Sequence, residues 1–259
     1  MNHLRRSFLR SGATLGSILT IPLLSGRSVG EEAGEWQEEW PSLTYSFNRA
    51  EVERYQPLLV ASRDARRKMR AMYGMKVQSD SNDLDCYVYW MQYTHQDGSA
   101  ETLEWLGDLL ARDTHLWDHE PSYIYVDPDT NEVDRIVCTG YHHFALELDP
   151  DDENVLMSED RVPGVETHVN LDVVSPWHHY RTADREGTYA ELVSWLEKRD
   201  AWKDNGFYDR TATEAIENPY SMLDRDSWWD ESTWDYRFGK LWIQLGLGGA
   251  RETDELRIL

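Results

Sequence analysis

Runs of aromatic and β-branched residues separated by turn-forming residues predict several strands. Residues 86–94 are dominated by tyrosine, tryptophan and valine, a composition that favours a strand. Residues 122–127 and 135–148 predict two more strands. The intervening Pro-Asp-Thr-Asn at 128–131 is typical of a turn, so we expect a hairpin. Residues 167–173 predict a further short strand.

Helix signals occur in three places. Residues 51–73 contain a run of good helix formers, and Asn48 stands near their start as an N-cap candidate. Residues 188–200 carry apolar residues at helical spacing, and residues 102–112 predict a short helix or helical loop. Strands and helices together predict an α+β fold with a central antiparallel β-sheet and flanking helices.

The first thirty residues differ in composition from the rest of the chain. Arg5 and Arg6 are followed by Phe-Leu, residues 11–26 are uncharged, and the chain turns acidic from Glu31. This order is the layout of a secretory signal, and Arg-Arg-x-Phe-Leu resembles the twin-arginine signal. We therefore predict a signal peptide at 1–30, a single exported α+β domain at 31–259, and an extracytoplasmic location, secreted or at the cell surface.

A retained N-terminal anchor is the alternative to cleavage. The uncharged stretch is shorter than the ~20 apolar residues that a membrane span needs, and Pro22 interrupts it. No later stretch is comparably apolar, so we predict no transmembrane span after signal removal.

The net charge of the chain indicates which environments and which partners are compatible with it. The formal net charge is −22, from 48 acidic and 26 basic residues. Such an acidic surface keeps a protein hydrated where concentrated salt screens charges within ~3 Å, and the composition resembles that of proteins from halophilic archaea. Twelve tryptophans and fourteen tyrosines argue against a disordered acidic chain. The charge argues against nucleic acid as a partner.

The two cysteines, Cys86 and Cys138, fall on separate predicted strands. One disulfide between them is compatible with an oxidising location. Two buried thiols are the equal alternative, because spacing alone does not decide.

Histidines and carboxylates concentrate in the middle of the chain, where eight of the nine histidines lie between residues 95 and 179. Imidazole and carboxylate are the usual ligands of zinc, manganese and similar ions, so we predict a divalent metal site of unidentified ion. The ligand candidates are His115, Asp118, His119, Glu120, His142 and His168. Glu120 is also the candidate general base if the site is catalytic.

Two functions are compatible with this centre. The first is an exported metal-binding protein, with metal-dependent hydrolysis as its possible activity. The alternative is a non-catalytic extracellular or envelope protein that binds a small molecule or a surface partner, with histidines that are structural. The positions of the candidate side chains discriminate between the two functions. A metal site needs three or more of these side chains around one point, whereas structural histidines are scattered.

The order of the central elements resembles a known family. An aromatic strand precedes the loop His115-Leu116-Trp117-Asp118-His119-Glu120, a hairpin ends in Tyr141-His142-His143, and Ser175-Pro176-Trp177-His178 follows a His-bearing strand. This resembles the necrosis-inducing-protein-like family and its Vps62-type relatives, in which a Gly-His-Arg-His-Asp-Trp-Glu loop helps to hold a divalent cation. The resemblance implies a β-sandwich core and a cation site at Asp118, His119 or Glu120.

Overall fold

The structure is a computed structural model that describes residues 39–95, 118–141, 144–157, 166–175, 177–203 and 217–225. The predicted signal peptide, the predicted helix at 102–112 and two ligand candidates, His115 and His142, lie outside the described residues. Within the described part, no helix has both the length and the apolar character needed to cross a membrane.

Most of the described elements are strands. The strands are β1 (Leu43–Ser46), β2 (Leu58–Ala61), β3 (Met69–Ser79), β4 (Asn82–Tyr93), β5 (His119–Val126), β6 (Val133–Thr139), β7 (Ala145–Leu148), β8 (Leu156–Met157), β9 (His168–Val173), β10 (Tyr180–Thr182) and β11 (Leu192–Ser194). The helices are α1 (Arg49–Arg54), α2 (Arg63–Lys68), α3 (Trp195–Lys203) and a 3-10 helix (Pro219–Asp224). The predicted α+β class with a central antiparallel sheet is confirmed.

The strands form two sheets. The large sheet has the order β1-β3-β4-β5-β6-β7 and is antiparallel, apart from β11, which runs parallel to β3. The small sheet has the order β10-β9-β2, with β2 parallel to β9 and β8 paired to β9. The predicted hairpin is β5–β6, in which Tyr123 pairs with Val137 and Asn131 of the turn has a φ of 64°.

The large sheet buries apolar side chains on both faces, because alternate residues of a strand point to opposite sides. One face packs on the small sheet, and Tyr89 and Ile124 meet Leu171 in a cluster that we call the inter-sheet core. The other face, with Trp90 and Tyr123, packs against α3 and the 3-10 helix. The two-layer packing agrees with the sandwich that the family resemblance implied.

The helix predicted over 51–73 is wrong. Asn48 does cap α1, since its side chain accepts a hydrogen bond from the Glu51 amide, but the helix ends at Arg54. Pro57 disfavours helical geometry in the residue before it and has no amide hydrogen to donate. The apolar run after it forms β2 inside the small sheet, so burial against β9 overrides helix propensity.

Two other predicted elements are divided in the structure. The strand over 135–148 is interrupted at Gly140, which separates β6 from β7. Of the helix predicted over 188–200, only the part from Trp195 is helical, because Leu192–Ser194 pairs with β3 as β11.

Both cysteines are buried thiols and neither forms a disulfide. Cys138 belongs to the inter-sheet core, whereas Cys86 lies on the opposite face of the large sheet. Side chains on opposite faces of a sheet point away from each other, so the disulfide alternative is not realised. Burial raises the pKa of the Cys86 thiol well above its usual value.

Candidate functional site

Two buried carboxylates lie at the beginning of β5. Asp118 directly precedes the strand and extends its ladder, because its carbonyl accepts a hydrogen bond of 2.8 Å from the Tyr93 amide on β4. Glu120 is the second residue of β5 and pairs with Met91. Both side chains are 1 % exposed. As residues i and i+2 of an extended segment they share one face, the one that Ile124 turns to the inter-sheet core.

An imidazole from the turn between two strands of the small sheet contacts Asp118, the first of these carboxylates. His178 lies in the turn between β9 and β10 with a φ of 63°, a left-handed conformation that is uncommon outside glycine and asparagine. The turn closes through a 2.7 Å hydrogen bond from the His178 amide to the Val174 carbonyl. The conformation directs the fully buried ring inward, where Nδ1 donates to Asp118 Oδ2 at 2.7 Å.

Tyrosines enclose the group. The Tyr93 ring stacks on His178 with centroids 4.0 Å apart and planes 4° apart. The Tyr180 hydroxyl donates to the backbone carbonyl of Glu120 at 3.2 Å. Burial, together with the charges of Glu120 and Asp118, raises the pKa of Tyr93 well above its usual value, so this phenol stays neutral. The surroundings of the carboxylates are therefore aromatic and dry.

Glu120 lacks a compensating positive charge among the described residues. Burial raises the pKa of its carboxyl group well above the usual range, the negative charge of Asp118 adds to the shift, and a hydrogen bond from Thr139 opposes it. Glu120 Oε2 and His178 Nε2 are both buried without a hydrogen-bond partner in the described part of the chain. Such atoms are costly in a folded protein and invite a ligand.

The other predicted ligands lie elsewhere. His119 is on the opposite face of β5 from its two acidic neighbours, and its Nε2 lies 3.2 Å from the side-chain nitrogen of Gln92. His168 is the first residue of β9, whereas the turn that carries His178 follows Val173, the last residue of β9. His168 therefore lies about 17 Å along the strand from that turn. Its Nδ1 donates to the Gln56 carbonyl at 2.9 Å. The structure brings together Asp118 and Glu120 and separates His168 from them.

The described residues alone do not complete a metal-binding group. No three His, Cys, Asp or Glu side chains among them are arranged to hold an ion. Asp118 and His178 are joined directly, which leaves Glu120 and His178 Nε2 as donor atoms on the inter-sheet side. His115 and His142 belong to segments that the structure does not describe.

His178 is the residue that the ligand prediction missed. Two consecutive histidines in a strand point to opposite faces, so at most one of His178 and His179 was expected to join a site unless the pair lay in a loop, and neither was among the candidates. Both lie in and just after a turn, where alternation does not apply. The signal was the pair of turn-forming residues Ser175-Pro176 shortly before them.

No protein-family model matches the sequence, and no curated protein matches it either. Among solved structures, necrosis and ethylene inducing protein 2 from the causal agent of cocoa's witches' broom disease matches with a TM-score of 0.41 and 14% identity, covering 58% of this chain and 75% of that one. NLPPya in complex with glucosamine matches with a TM-score of 0.42 and 12% identity, covering 57% and 73%. A structure titled "Toxin fold for microbial attack and plant defense" matches with a TM-score of 0.40 and 12% identity, covering 57% and 74%. The first of these names the same family that the loop at 115–120 resembles.

Proposed function

We propose that this protein is an extracytoplasmic protein that binds a divalent cation through Glu120 and His178, with Asp118 supporting His178 and with further ligands from segments outside the described residues. The observation that carries the proposal is that Glu120 Oε2 and His178 Nε2 are both buried and unpartnered among the described residues, and that each group is linked to Asp118, Glu120 through charge and His178 through a hydrogen bond. A bound cation would supply the positive charge that Glu120 lacks.

The hydrogen bond between Asp118 and His178 fits a supporting role for Asp118. Histidines that bind metals commonly donate their second ring N–H to a carboxylate, which fixes the ring and the tautomer. Here Nδ1 donates to Asp118 Oδ2, which leaves Nε2 as the ring nitrogen for a cation. Stacking on Tyr93 holds the plane of the ring. Asp118 would therefore orient the ligand rather than bind the ion directly.

The sequence offers further ligands for the same ion. His115, Asp118 and Glu120 stand at the relative positions of the first His, the Asp and the Glu in the family loop Gly-His-Arg-His-Asp-Trp-Glu. His142 follows Tyr141, which contacts the His179 ring at a centroid distance of 5.6 Å. We propose His115 and His142 as the remaining ligand candidates. The family resemblance thus supports the same acidic pair that the burial argument selects.

Metal-dependent hydrolysis is the activity that we propose for this centre. A divalent cation polarises a carbonyl or phosphoryl oxygen and makes bound water more acidic. Glu120 would then serve as a ligand or as the general base, because its second oxygen is not committed to a described neighbour. Glycan, ester and peptide substrates should be screened, since the described residues do not select among them.

The test is metal binding by the exported protein purified without chelator in concentrated salt. We expect near-stoichiometric zinc, manganese or calcium by elemental analysis, and loss of that metal in Glu120→Gln and His178→Gln. Glu132→Gln is the matched control, because Glu132 is exposed in the β5–β6 turn. This control variant should bind as much metal as the wild type. Circular dichroism of each variant separates lost binding from lost folding.

Absence of bound metal in the folded wild type, with no uptake of added ions, would overturn the proposal. It would favour the alternative of a non-catalytic extracytoplasmic binding protein. Metal retained by both variants would overturn the assignment of the site while leaving metal binding itself intact.

A further inference from the structure

The described surface contains one dense group of positive charge on a strongly acidic chain. Arg63, Arg66, Arg67 and Arg70 are exposed within eight residues of sequence, on α2 and the start of β3. We call these four residues the arginine patch. In a chain with a formal net charge of −22, such a cluster runs against the overall composition. We therefore ask what function four neighbouring arginines serve at this place on the surface.

Neighbouring acids neutralise little of the arginine patch: Asp64 interacts electrostatically with Arg67, but its ion pair is with Lys68. Asp64, the acidic residue of α2, is bonded at 2.8 Å to Lys68. Among the ion pairs within the described part of the chain, none involves Arg63, Arg66, Arg67 or Arg70. Arginines that stabilise a fold are commonly paired, as Arg199 is with Glu217. Within the described part of the chain, the four guanidinium groups therefore lack an ion-pair partner, and they are exposed to an external anion.

A surface depression accompanies the charge. Ala61, Arg63, Arg66 and Arg67 line a cavity of about 420 Å³, a volume within the range of small-molecule sites. Arg66 is held in place there, because its Nε donates to the Ala61 carbonyl at 3.0 Å. This bond leaves the two terminal nitrogens of Arg66 for a ligand. Three cationic side chains therefore border one open depression of the surface.

We propose that Arg63, Arg66 and Arg67 form a binding site for a phosphate group. A planar guanidinium presents paired N–H donors that match phosphate oxygens. Three positive charges suit an anion with two charges better than a single carboxylate. Bidentate hydrogen bonds act at contact distance, so they persist where concentrated salt removes longer-range attraction. The phosphate belongs either to a soluble ester or to the headgroup of a lipid.

This site is separate from the proposed cation site. The arginines are exposed at the surface, whereas Glu120 and His178 are buried between the sheets. The two regions are neighbours, since Ser62 at the start of α2 lies 3.3 Å, hydroxyl to hydroxyl, from Ser175 in the turn that carries His178. A molecule with a phosphate at the patch would thus lie near that turn. Phosphate binding does not depend on a bound metal, so either proposal can fail alone.

The test is isothermal titration calorimetry of metal-stripped, chelator-free protein with inorganic phosphate. We expect saturable binding by the wild type and a loss of about tenfold or more for each arginine removed, as charge-assisted hydrogen bonds are lost. The test variant is Arg63→Gln with Arg67→Gln, which leaves the bond from Arg66 to Ala61 intact. The matched control is Arg49→Gln with Arg54→Gln, which removes two charges from the other short helix, α1. The control should bind phosphate within about twofold of the wild type.

Vesicle flotation distinguishes the two sources of the phosphate. Binding to phosphatidylglycerol vesicles but not to phosphatidylcholine vesicles, lost in the patch variant alone, assigns a lipid headgroup. Phosphate binding without vesicle binding assigns a soluble phosphate ester. Two results would overturn the proposal: wild type that does not bind phosphate, or equal losses in the patch variant and the control, which would indicate general charge attraction.

Discussion

Glu217 and Glu120 are both buried glutamates, and they differ in what neutralises them. Glu217 lies on the α3 side of the large sheet, where Arg199 Nη2 donates to it at 2.6 Å and Nε at 3.3 Å. The indole N–H of Trp40 donates to its other oxygen at 3.4 Å. Glu120 lies on the inter-sheet side, with Asp118 nearby and no described cation. Each carboxylate is 1 % exposed.

The difference separates a structural ion pair from the group that we propose as a ligand site. Burying a charge is costly unless it is paired and hydrogen-bonded, and Arg199 satisfies that requirement for Glu217. Nothing described does so for Glu120, and burial together with the charge of Asp118 raises the pKa of its carboxyl group well above the usual range, which favours the neutral form. The charge of Glu217 is thus compensated by Arg199, whereas we propose that the charge of Glu120 is compensated by a bound cation.

The largest expected effect is at the paired glutamate. Arg199→Met leaves the Glu217 charge buried and uncompensated, so we expect the free energy of unfolding to fall by about 3–5 kcal/mol. Urea unfolding in concentrated salt measures it. The double variant Arg199→Met with Glu217→Met should recover most of the loss, because it removes both charges. A single-variant loss below about 1 kcal/mol would contradict the structural role, since that is the range of exposed pairs.

A smaller effect on the free energy of unfolding is expected at Glu120 in metal-free protein, and it depends on pH. A raised folded-state pKa means that the folded protein retains a proton which the unfolded chain releases above its ordinary pKa of 4.5. Stability therefore declines as pH rises from that value through the folded-state pKa, and Glu120→Gln should show a flatter profile. Urea unfolding across a pH series with chelator checks this. Parallel profiles for variant and wild type would contradict the assignment of an uncompensated carboxyl group.

The smallest effect is expected at His168, the predicted ligand that lies away from the site. The Tyr189 hydroxyl lies 3.1 Å from His168 Nε2, so Tyr189→Phe removes one hydrogen bond. We expect a loss of about 1 kcal/mol in unfolding free energy and unchanged metal content. Thermal unfolding and elemental analysis measure the two quantities. Loss of metal in this variant would place His168 in the site after all.

The strands β4, β5, β6, β7 and β9 were predictable from composition, whereas the other six described strands and the extent of the helices were not. The aromatic strand at 86–94, the hairpin turn at 128–131 and the strand at 167–173 all lie where their composition indicated. These patterns are local, since they depend on β-propensity and on turn residues. The helix over 51–73 failed because Pro57 stops it and because the apolar residues after it are buried beside β9. That pairing partner lies more than a hundred residues away.

The site was predictable in residue type and only partly in residue identity. Asp118 and Glu120 share a face by strand alternation, which the sequence indicates directly. His178 could not be assigned, because the β9–β10 turn and its left-handed φ determine where that ring points. His119 and His168 have the right chemistry, but strand geometry directs His119 to the other face and places His168 far along β9. The roles of His115 and His142 remain predictions.

The sequence by itself determined the β-rich class, the extreme acidity, the candidate export signal and the concentration of histidines and carboxylates, because each of these depends on composition or on neighbouring residues. Only the tertiary structure decided which ionisable groups meet. It paired Arg199 with Glu217 on one side of the large sheet, placed Asp118 against His178 on the other, and left Glu120 without a described cation. The physical reason is that the charge state of a buried group depends on its neighbours in space, and sheet packing brings those neighbours from distant parts of the chain.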